Sequence, residues 1–211
     1  MNKKEAETLV SSVMAGALIA FATVVNLLCD NKYYGSFLFA FGLVNVIAFK
    51  LDLITGIFGK LTTIPNKLKT SALVFAGNFI GTFIVGFCYR YVHTYKNIQE
   101  KVQASLSVKM GQGMLSLFIM GVLCGIFIGI AVWIQKTKVS DMTKLYVTIL
   151  AVIFFILIGA EHCVANMTLI HLSGNYTLAS LWFLVQNTIG NLAGGVLISL
   201  GGDYIIRKRH S

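Results

Sequence analysis

Six long apolar stretches constrain this chain more than any other feature of its sequence. They cover approximately residues 9–29, 35–58, 70–92, 112–135, 145–172 and 177–203, and each is close to the ~20 residues that a helix needs to cross a bilayer. Of the 211 residues, 56% are hydrophobic and one is proline, and the mean hydropathy is +0.78, which excludes an ordinary soluble domain. The sequence therefore predicts an all-α membrane protein with six transmembrane helices. These helices form a single transmembrane domain over residues 1–211 in the lipid bilayer.

The positive charge of the chain follows this topology. The formal net charge is +9 at pH 7, and lysines and arginines are more frequent at the termini and in alternate loops than in the other loops. By the positive-inside rule, this bias places both termini in the cytoplasm and the protein in the cell (inner) membrane. We expect no nucleic-acid partner, because topology accounts for most of the charge; attraction for small anions accounts for the rest.

No pattern in the sequence indicates an enzyme or a cofactor. The cysteines have no C-x-x-C spacing, and no histidines and carboxylates have the spacing of zinc ligands. No glycine-rich loop resembles a phosphate cradle, and no serine or cysteine has a plausible base partner. We therefore expect no metal, no cofactor and no catalytic activity, and a non-transport membrane enzyme or scaffold is the more distant alternative.

Charged and polar residues interrupt two of the apolar stretches. Lys50 and Asp52 lie within the second, and Glu161 and His162 lie within the fifth, in the segment 159-GAEHCVANM-167. Backbone that leaves the helix at membrane depth is tolerated only where it is buried in protein or lines a cavity. We therefore predict that the second and fifth helices are broken and that both breaks point to a shared interior.

The two halves of the chain repeat this order of elements. The stretches that follow the breaks carry 77-GNFIG-81 and 190-GNLAG-194, in which the glycines allow close helix approach and the asparagine is held inside. A stretch, a broken stretch and a G-N-x-x-G stretch thus occur twice, in repeats of about residues 9–92 and 112–203. Three spans per half reverse the membrane direction of the second copy, which is the inverted-repeat arrangement of many transporters.

Four segments together resemble the formate/nitrite transporter family, over essentially the whole chain. They are LDLITG in the second stretch, 121-GVLCGIFIGIAVW-133 in the fourth, GAEHCVANM in the fifth and GNLAGG in the sixth. The resemblance implies an aquaporin-like protomer with its own pore, assembled as a homopentamer. It also implies a cargo of small monovalent anions or their acids: formate, nitrite or hydrosulfide, and in some members acetate or lactate.

The resemblance also implies which residues line the pore. Its polar residues match His162, Thr55, Lys109 and Asn191, and its two hydrophobic constrictions match Phe39 and Leu43 on the second stretch and Phe155 on the fifth. Lys109 would lie in the outer vestibule. Two positions depart from the family pattern: Gly125 stands where the family usually has asparagine, and Lys50 stands where the residue is normally small or apolar.

Some roles follow from physical chemistry. An unpaired anion in an apolar constriction costs several kcal/mol, and neutralising it removes most of that cost. Histidine exchanges protons near neutral pH, with an unperturbed pKa of about 6.5, so His162 is the expected proton or hydrogen-bond donor to the anion. Bulk water is the alternative source of the proton, and Thr55 would hold His162 or the substrate from the opposite repeat.

The charged residues around the breaks have supporting roles. Lys109 would concentrate anions by long-range attraction. Glu161 is expected to support the broken backbone rather than touch substrate, because adjacent residues on a helix point in different directions. For Lys50 three roles are open: facing the pore, snorkelling to the interface, or pairing with Asp52, which we favour. Residues 90–111 are expected to form a long loop.

The sequence leaves two functional readings open within the family. A channel or proton-linked carrier for formate or nitrite is the first, and a hydrosulfide channel is the second. All three are small monovalent anions of weak acids, so no residue pattern separates them.

Overall fold

The computed structural model describes residues 2–61 and 66–209, which form helices and connecting turns without any β-strand. The α-helices are α1 (Lys3–Leu28), α2 (Lys32–Ala48), α3 (Ile54–Phe58), α4 (Lys67–Tyr89), α5 (Gln99–Met110), α6 (Met114–Trp133), α7 (Asp141–Leu157), α8 (Cys163–Ser173) and α9 (Leu178–Arg209). Short 3₁₀ helices lie at His93–Asn97 and Ile134–Lys136. The predicted all-helical class is confirmed.

Helix length and composition agree with a multi-pass membrane protein. Among the described residues, α1, α4, α6 and α9 are long and apolar enough to cross a membrane, and α2 and α8 are shorter apolar helices. Large apolar side chains such as Phe21, Phe41, Phe83 and Trp182 are exposed on the outer surface, as expected of faces that contact lipid. The predicted interruptions are present: the second stretch is divided into α2 and α3, and the fifth into α7 and α8.

The short helix of each half packs against the long helices of the other half. Helix α1 packs mainly on α4 and α2, and α6 packs mainly on α9 and α7. Helix α3, from the first half, packs against α9 and α6, whereas α8, from the second half, packs against α4 and α1. Each short helix that follows a break therefore lies within the opposite half, and both breaks reach the centre of the molecule.

Glycines set the distance between the long helices. A Cβ atom on Gly81 would lie 2.1 Å from the carbonyl oxygen of Val13, and one on Gly194 would lie 2.1 Å from that of Val122. A Cβ atom on Gly125 would lie 2.2 Å from the carbonyl oxygen of Asn191. The departure at Gly125 is thus a packing requirement of this chain, because no side chain fits between α6 and α9 at that point.

The segment 90–111 is not the long loop predicted from its sequence. It contains α5, whose Val102 and Leu106 are buried together with the preceding Ile98. The prediction was wrong because the helix is short and polar, with one buried residue per turn on the side that packs against α8. The spacing of four between Ile98, Val102 and Leu106 is the signal that was available.

Lys50 adopts a backbone conformation that glycine usually fills. Its φ is 54°, and Gly159, which follows α7 as Lys50 follows α2, has a φ of 80°. The lysine side chain is exposed, and the ion pairs of the described residues do not include the predicted pair with Asp52. The Lys50 side chain at the left-handed turn stays exposed, while hydrogen bonds to Ser11 and Asn78 fix the backbone of Asp52 inside.

Replacing Lys50 with glycine is expected to stabilise the fold by about 1 kcal/mol, because a left-handed conformation costs a residue with a Cβ atom that much. The measurement is thermal unfolding of the detergent-solubilised protein at a fixed scan rate. Lys50→Ala is the matched control: it removes the same charge but keeps the Cβ atom, and should give little of the gain. Gly159→Ala should lower the melting temperature. Equal gains from Lys50→Gly and Lys50→Ala would show that charge, and not backbone strain, is responsible.

Candidate functional site

An asparagine side chain on α4 holds the first break. The Asn78 Oδ1 atom accepts the backbone N–H of Ile54 at 2.8 Å. Its Nδ2 atom donates to the carbonyl oxygens of Asp52 at 3.0 Å and Ser12 at 2.8 Å. One buried side chain therefore joins α1 and α4 to both edges of the break that precedes α3.

Asn191 on α9 holds the second break in the same way. Its Oδ1 atom accepts the N–H of Cys163 at 2.9 Å, and its Nδ2 atom donates to the carbonyls of Glu161 at 2.7 Å and Gly121 at 2.9 Å. The backbone partners of the two asparagines are equivalent positions of the two halves, separated by one constant interval along the chain. The equivalent pairs are Asp52 and Glu161, Ile54 and Cys163, and Ser12 and Gly121. The Asn191 side chain, predicted to line the pore, is thus buried and forms hydrogen bonds with backbone groups.

These hydrogen bonds satisfy backbone groups that water cannot reach. The N–H of Glu161 also donates to the carbonyl of Met120 at 3.1 Å, and the N–H of Asp52 donates to the Ser11 hydroxyl at 2.9 Å. An unpaired backbone group in an apolar interior costs several kcal/mol. The two interruptions are therefore stable, specified features of the fold.

The breaks bring His162 and Thr55 together at the centre of the molecule. The His162 Nε2 atom lies 3.2 Å from the Thr55 Oγ1 atom, and both side chains are buried. The His162 Nδ1 atom accepts the N–H of Ala165 at 3.1 Å and so caps α8. Because Nδ1 is an acceptor, the neutral ring carries its proton on Nε2, which faces Thr55. Two residues predicted from opposite halves of the chain thus form one polar centre.

Apolar side chains surround this centre. The ring of Phe155 stacks on that of His162 with centroids 5.9 Å apart, and Phe39 meets Phe155 edge to face, also at 5.9 Å. Leu43, one helical turn beyond Phe39 on α2, is buried in the same cluster. Of the residues predicted to form constrictions, Phe39 and Phe155 therefore lie beside the histidine, and Leu43 lies one turn further along α2.

Two cavities approach the polar centre. The His162 cavity, of about 130 Å³, is lined by residues that include Phe39, Phe155, His162 and Lys109. The Lys60 cavity, of about 430 Å³, is lined by residues that include Leu43, Lys50, Asp52, Lys60 and Gln135. Since Phe39 and Leu43 are one turn apart, only about 6 Å of helix α2 separates the two linings.

Glu161 forms a buried polar cluster beside the second break. Its carboxylate accepts from Lys109 Nζ at 2.5 Å, Gln112 Nε2 at 2.8 Å and Asn166 Nδ2 at 2.9 Å. Asn166 Nδ2 also lies 2.9 Å from the Oδ1 atom of Asn187. A buried carboxylate requires a counter-charge and filled lone pairs, and Lys109 on α5 supplies the charge.

This cluster modifies two predictions. Glu161 is expected to support the broken backbone, but its carboxylate binds side chains, and its backbone carbonyl accepts hydrogen bonds from Asn187 and Asn191, each at 2.7 Å. Lys109 lines the His162 cavity as expected, yet its charge is compensated by Glu161, so it is not a free vestibule cation. Sequence reasoning missed Gln112, Asn166 and Asn187. Asn187 lies one helical turn before Asn191, a spacing that was visible.

A buried polar centre that borders a cavity, built by two broken helices in a membrane protein, is typical of a transmembrane channel or transporter. The family model described as formate/nitrite transporter matches residues 1–205. The chain belongs to this family, whose members are channels and transporters rather than enzymes.

Individual relatives agree with this assignment. The chain is 24% identical to the formate channel FocA of Haemophilus influenzae, over 93% of this chain and 85% of that protein. It is 36% identical to the nitrite transporter NirC of Escherichia coli over a shorter region, 44% of this chain and 38% of that protein.

Solved structures share the fold. A pentameric formate channel with formate bound has a TM-score of 0.80 at 21% identity, and the match covers 97% of this chain and 98% of the channel's chain. An ion channel of the same family has a TM-score of 0.78 at 25% identity, covering 95% and 89%. This chain therefore shares its overall fold with both solved structures.

Replacing Asn78 or Asn191 with alanine is expected to destabilise the protein by about 3 kcal/mol, because each change leaves a buried backbone N–H without an acceptor and removes two further hydrogen bonds. Thermal unfolding in detergent is the measurement. Asn45→Ala is the matched control, since among the described residues the Asn45 side chain donates only to the Phe41 carbonyl of its own helix, and this variant should change stability by less than ~0.5 kcal/mol. If all three variants unfold alike, the asparagines do not hold the breaks.

Proposed function

We propose that this protein passes small monovalent anions of weak acids, formate or nitrite, across the membrane in a proton-linked manner. The observation that supports this most directly is the buried His162 and Thr55 pair, beside an apolar wall of Phe39 and Phe155. His162 lines one cavity, and Gly56, which follows Thr55, lines the other. The wall would exclude a hydrated anion, and the pair would offer hydrogen bonds to a small one. The relatives named for formate and for nitrite are consistent with either cargo.

In this proposal His162 acts as a hydrogen-bond donor rather than as the source of the proton. The neutral ring presents Nε2–H towards Thr55, while Nδ1 holds the N–H of Ala165. A charged ring would lose the Ala165 hydrogen bond and would lie at the positive N-terminal end of α8. Hydronium from bulk solvent then protonates the anion at the His162 cavity and leaves water, and the resulting acid crosses the apolar wall and accepts a hydrogen bond from Nε2–H.

We further propose the arrangement of the protein in the membrane. The matched hydrogen bonds of Asn78 and Asn191 support two inverted three-helix repeats, with six spans in total and an aquaporin-like protomer. The distribution of basic residues supports cytoplasmic termini in the cell (inner) membrane, with the His162 cavity on the outer side. Kinship with a structure described as pentameric supports a homopentamer with one pore per protomer.

A hydrosulfide channel is the second candidate function. Hydrosulfide is also a small monovalent anion of a weak acid, and the same donor pair and apolar wall would accept it. Membership of a family of channels and transporters weighs against the enzyme or scaffold alternative.

Flux into proteoliposomes tests the proposed cargo. Formate and nitrite should enter faster than into protein-free vesicles, hydrosulfide uptake decides the second candidate, and glycerol should not enter. His162→Asn keeps a donor and should retain a reduced flux with the pH dependence of the wild type between about pH 5 and 8. His162→Leu, which has no donor, should reduce flux much further. A flattened pH profile for His162→Asn would instead identify the imidazole as the group that exchanges the proton.

Lys109→Gln is expected to lower stability by about 2 kcal/mol, because it leaves the Glu161 carboxylate buried without a counter-charge. The lysine side chain is 24% exposed, and this exposure reduces the cost below that of a fully buried pair. The double variant Lys109→Gln, Glu161→Gln should recover most of the loss. Thermal unfolding of the two single variants and the double variant gives the coupling. A double variant as unstable as the sum of the single ones would contradict the paired role.

A further inference from the structure

The C-terminal end of α7 lies beside the His162 cavity, and a lysine side chain donates a hydrogen bond to its last carbonyl group. Leu157, the last residue of α7, is flanked by Ile156 and Gly159, which both line that cavity. The carbonyl oxygens of the three residues before Leu157 accept from backbone N–H groups that follow the helix, at 2.9 to 3.1 Å. The carbonyl of Leu157 itself accepts from Lys32 Nζ at 2.8 Å. Lys32 is therefore held at the end of α7 next to the cavity lining, a position that we term the rim.

The first half of the chain has no equivalent of this contact. The three carbonyls before Ala48, at the end of α2, accept from backbone N–H groups as their counterparts in α7 do. Among the described residues, however, no side chain donates to the carbonyl of Ala48. The position equivalent to Lys32 in the second half is Asp141, whose side chain is fully exposed and pairs with Lys144. The second half of the chain therefore has no lysine at the equivalent position.

Carboxylates compensate the neighbouring cations. Lys109 pairs with Glu161 at 2.5 Å, and Lys101 pairs with Asp30 at 2.7 Å; the hydrogen bond from Lys101 lowers the pKa of Asp30, which stays ionised. Within the described part of the chain, Lys32 has only the Leu157 carbonyl as a polar partner. A helix C-terminus carries a partial negative charge of about half an electron, so the ammonium group more than offsets it and leaves the rim positive.

We propose that Lys32 is the cation that draws small anions into the His162 cavity, and that its hydrogen bond to the Leu157 carbonyl holds it at the rim for this purpose. This role rests on the proposed function as an anion channel. Lys32, rather than Lys109, would then supply the long-range attraction for anions that the sequence predicts. A fixed cation at the mouth of an apolar passage raises the local anion concentration, and it also removes the repulsion by the exposed end of α7.

Initial formate uptake into proteoliposomes at several ionic strengths tests this role. At about 10 mM salt the Debye length is ~30 Å, and Lys32→Gln should lower uptake about threefold, through KM rather than kcat. At about 500 mM salt the difference should nearly vanish. Lys32→Arg, which keeps the charge and the donors, should behave as the wild type at both concentrations, and Lys32→Glu should fall below Lys32→Gln at low salt.

Lys96→Gln is the matched control, because it removes one exposed lysine from the segment between α4 and α5, away from the cavity lining. It should change uptake little at either concentration. An equal loss for Lys32→Gln at all salt concentrations would show that Lys32 only caps α7, and no loss at low salt would show that it has no role; either result overturns the inference. If the wild type itself passes no anion, the proposed function fails, and with it the premise of this inference.

Discussion

Backbone groups at the two helix breaks must find partners inside the protein, and the rest of the structure depends on how they do so. In an apolar membrane the cost of leaving such groups unpaired exceeds what neighbouring packing contributes. Asn78 and Asn191 each bind one N–H and two carbonyl groups of the break and its neighbouring helix. Glycines on both sides allow the helices to approach closely enough for these bonds, as the contact of Gly125 with Asn191 illustrates.

The breaks in turn determine the chemistry of the centre. Because α8 begins directly after the second break, His162 is its capping residue, and the bond from Ala165 fixes which ring nitrogen carries the proton. The first break places Thr55 opposite that nitrogen. The charges near the break are compensated by the Lys109 and Glu161 pair, so the centre is polar but neutral, which suits a passage that a weak acid crosses in its uncharged form.

The sequence predicted the features that follow from chain-local patterns. Charged residues within apolar stretches located both breaks, and the two G-N-x-x-G segments located the asparagines, because each feature depends on a few adjacent residues. The pairing of Lys109 with Glu161 was not predictable, since it needs α5 to fold back over the second break, and the spacing of apolar residues in α5 does not show which element that helix packs against. The expected pair of Lys50 and Asp52 failed because proximity along the chain does not survive a left-handed turn.

The central proposal is that a small anion, neutralised to its acid, crosses each protomer past His162 and Thr55. The most direct test is a high-resolution cryo-electron-microscopy map of the protein in lipid nanodiscs with saturating formate, compared with a map without it. The account predicts additional density within hydrogen-bond distance of His162 Nε2 and Thr55 Oγ1, between the two cavities of every protomer. Additional density confined to an opening between protomers, with the His162 and Thr55 pair unchanged, would contradict it.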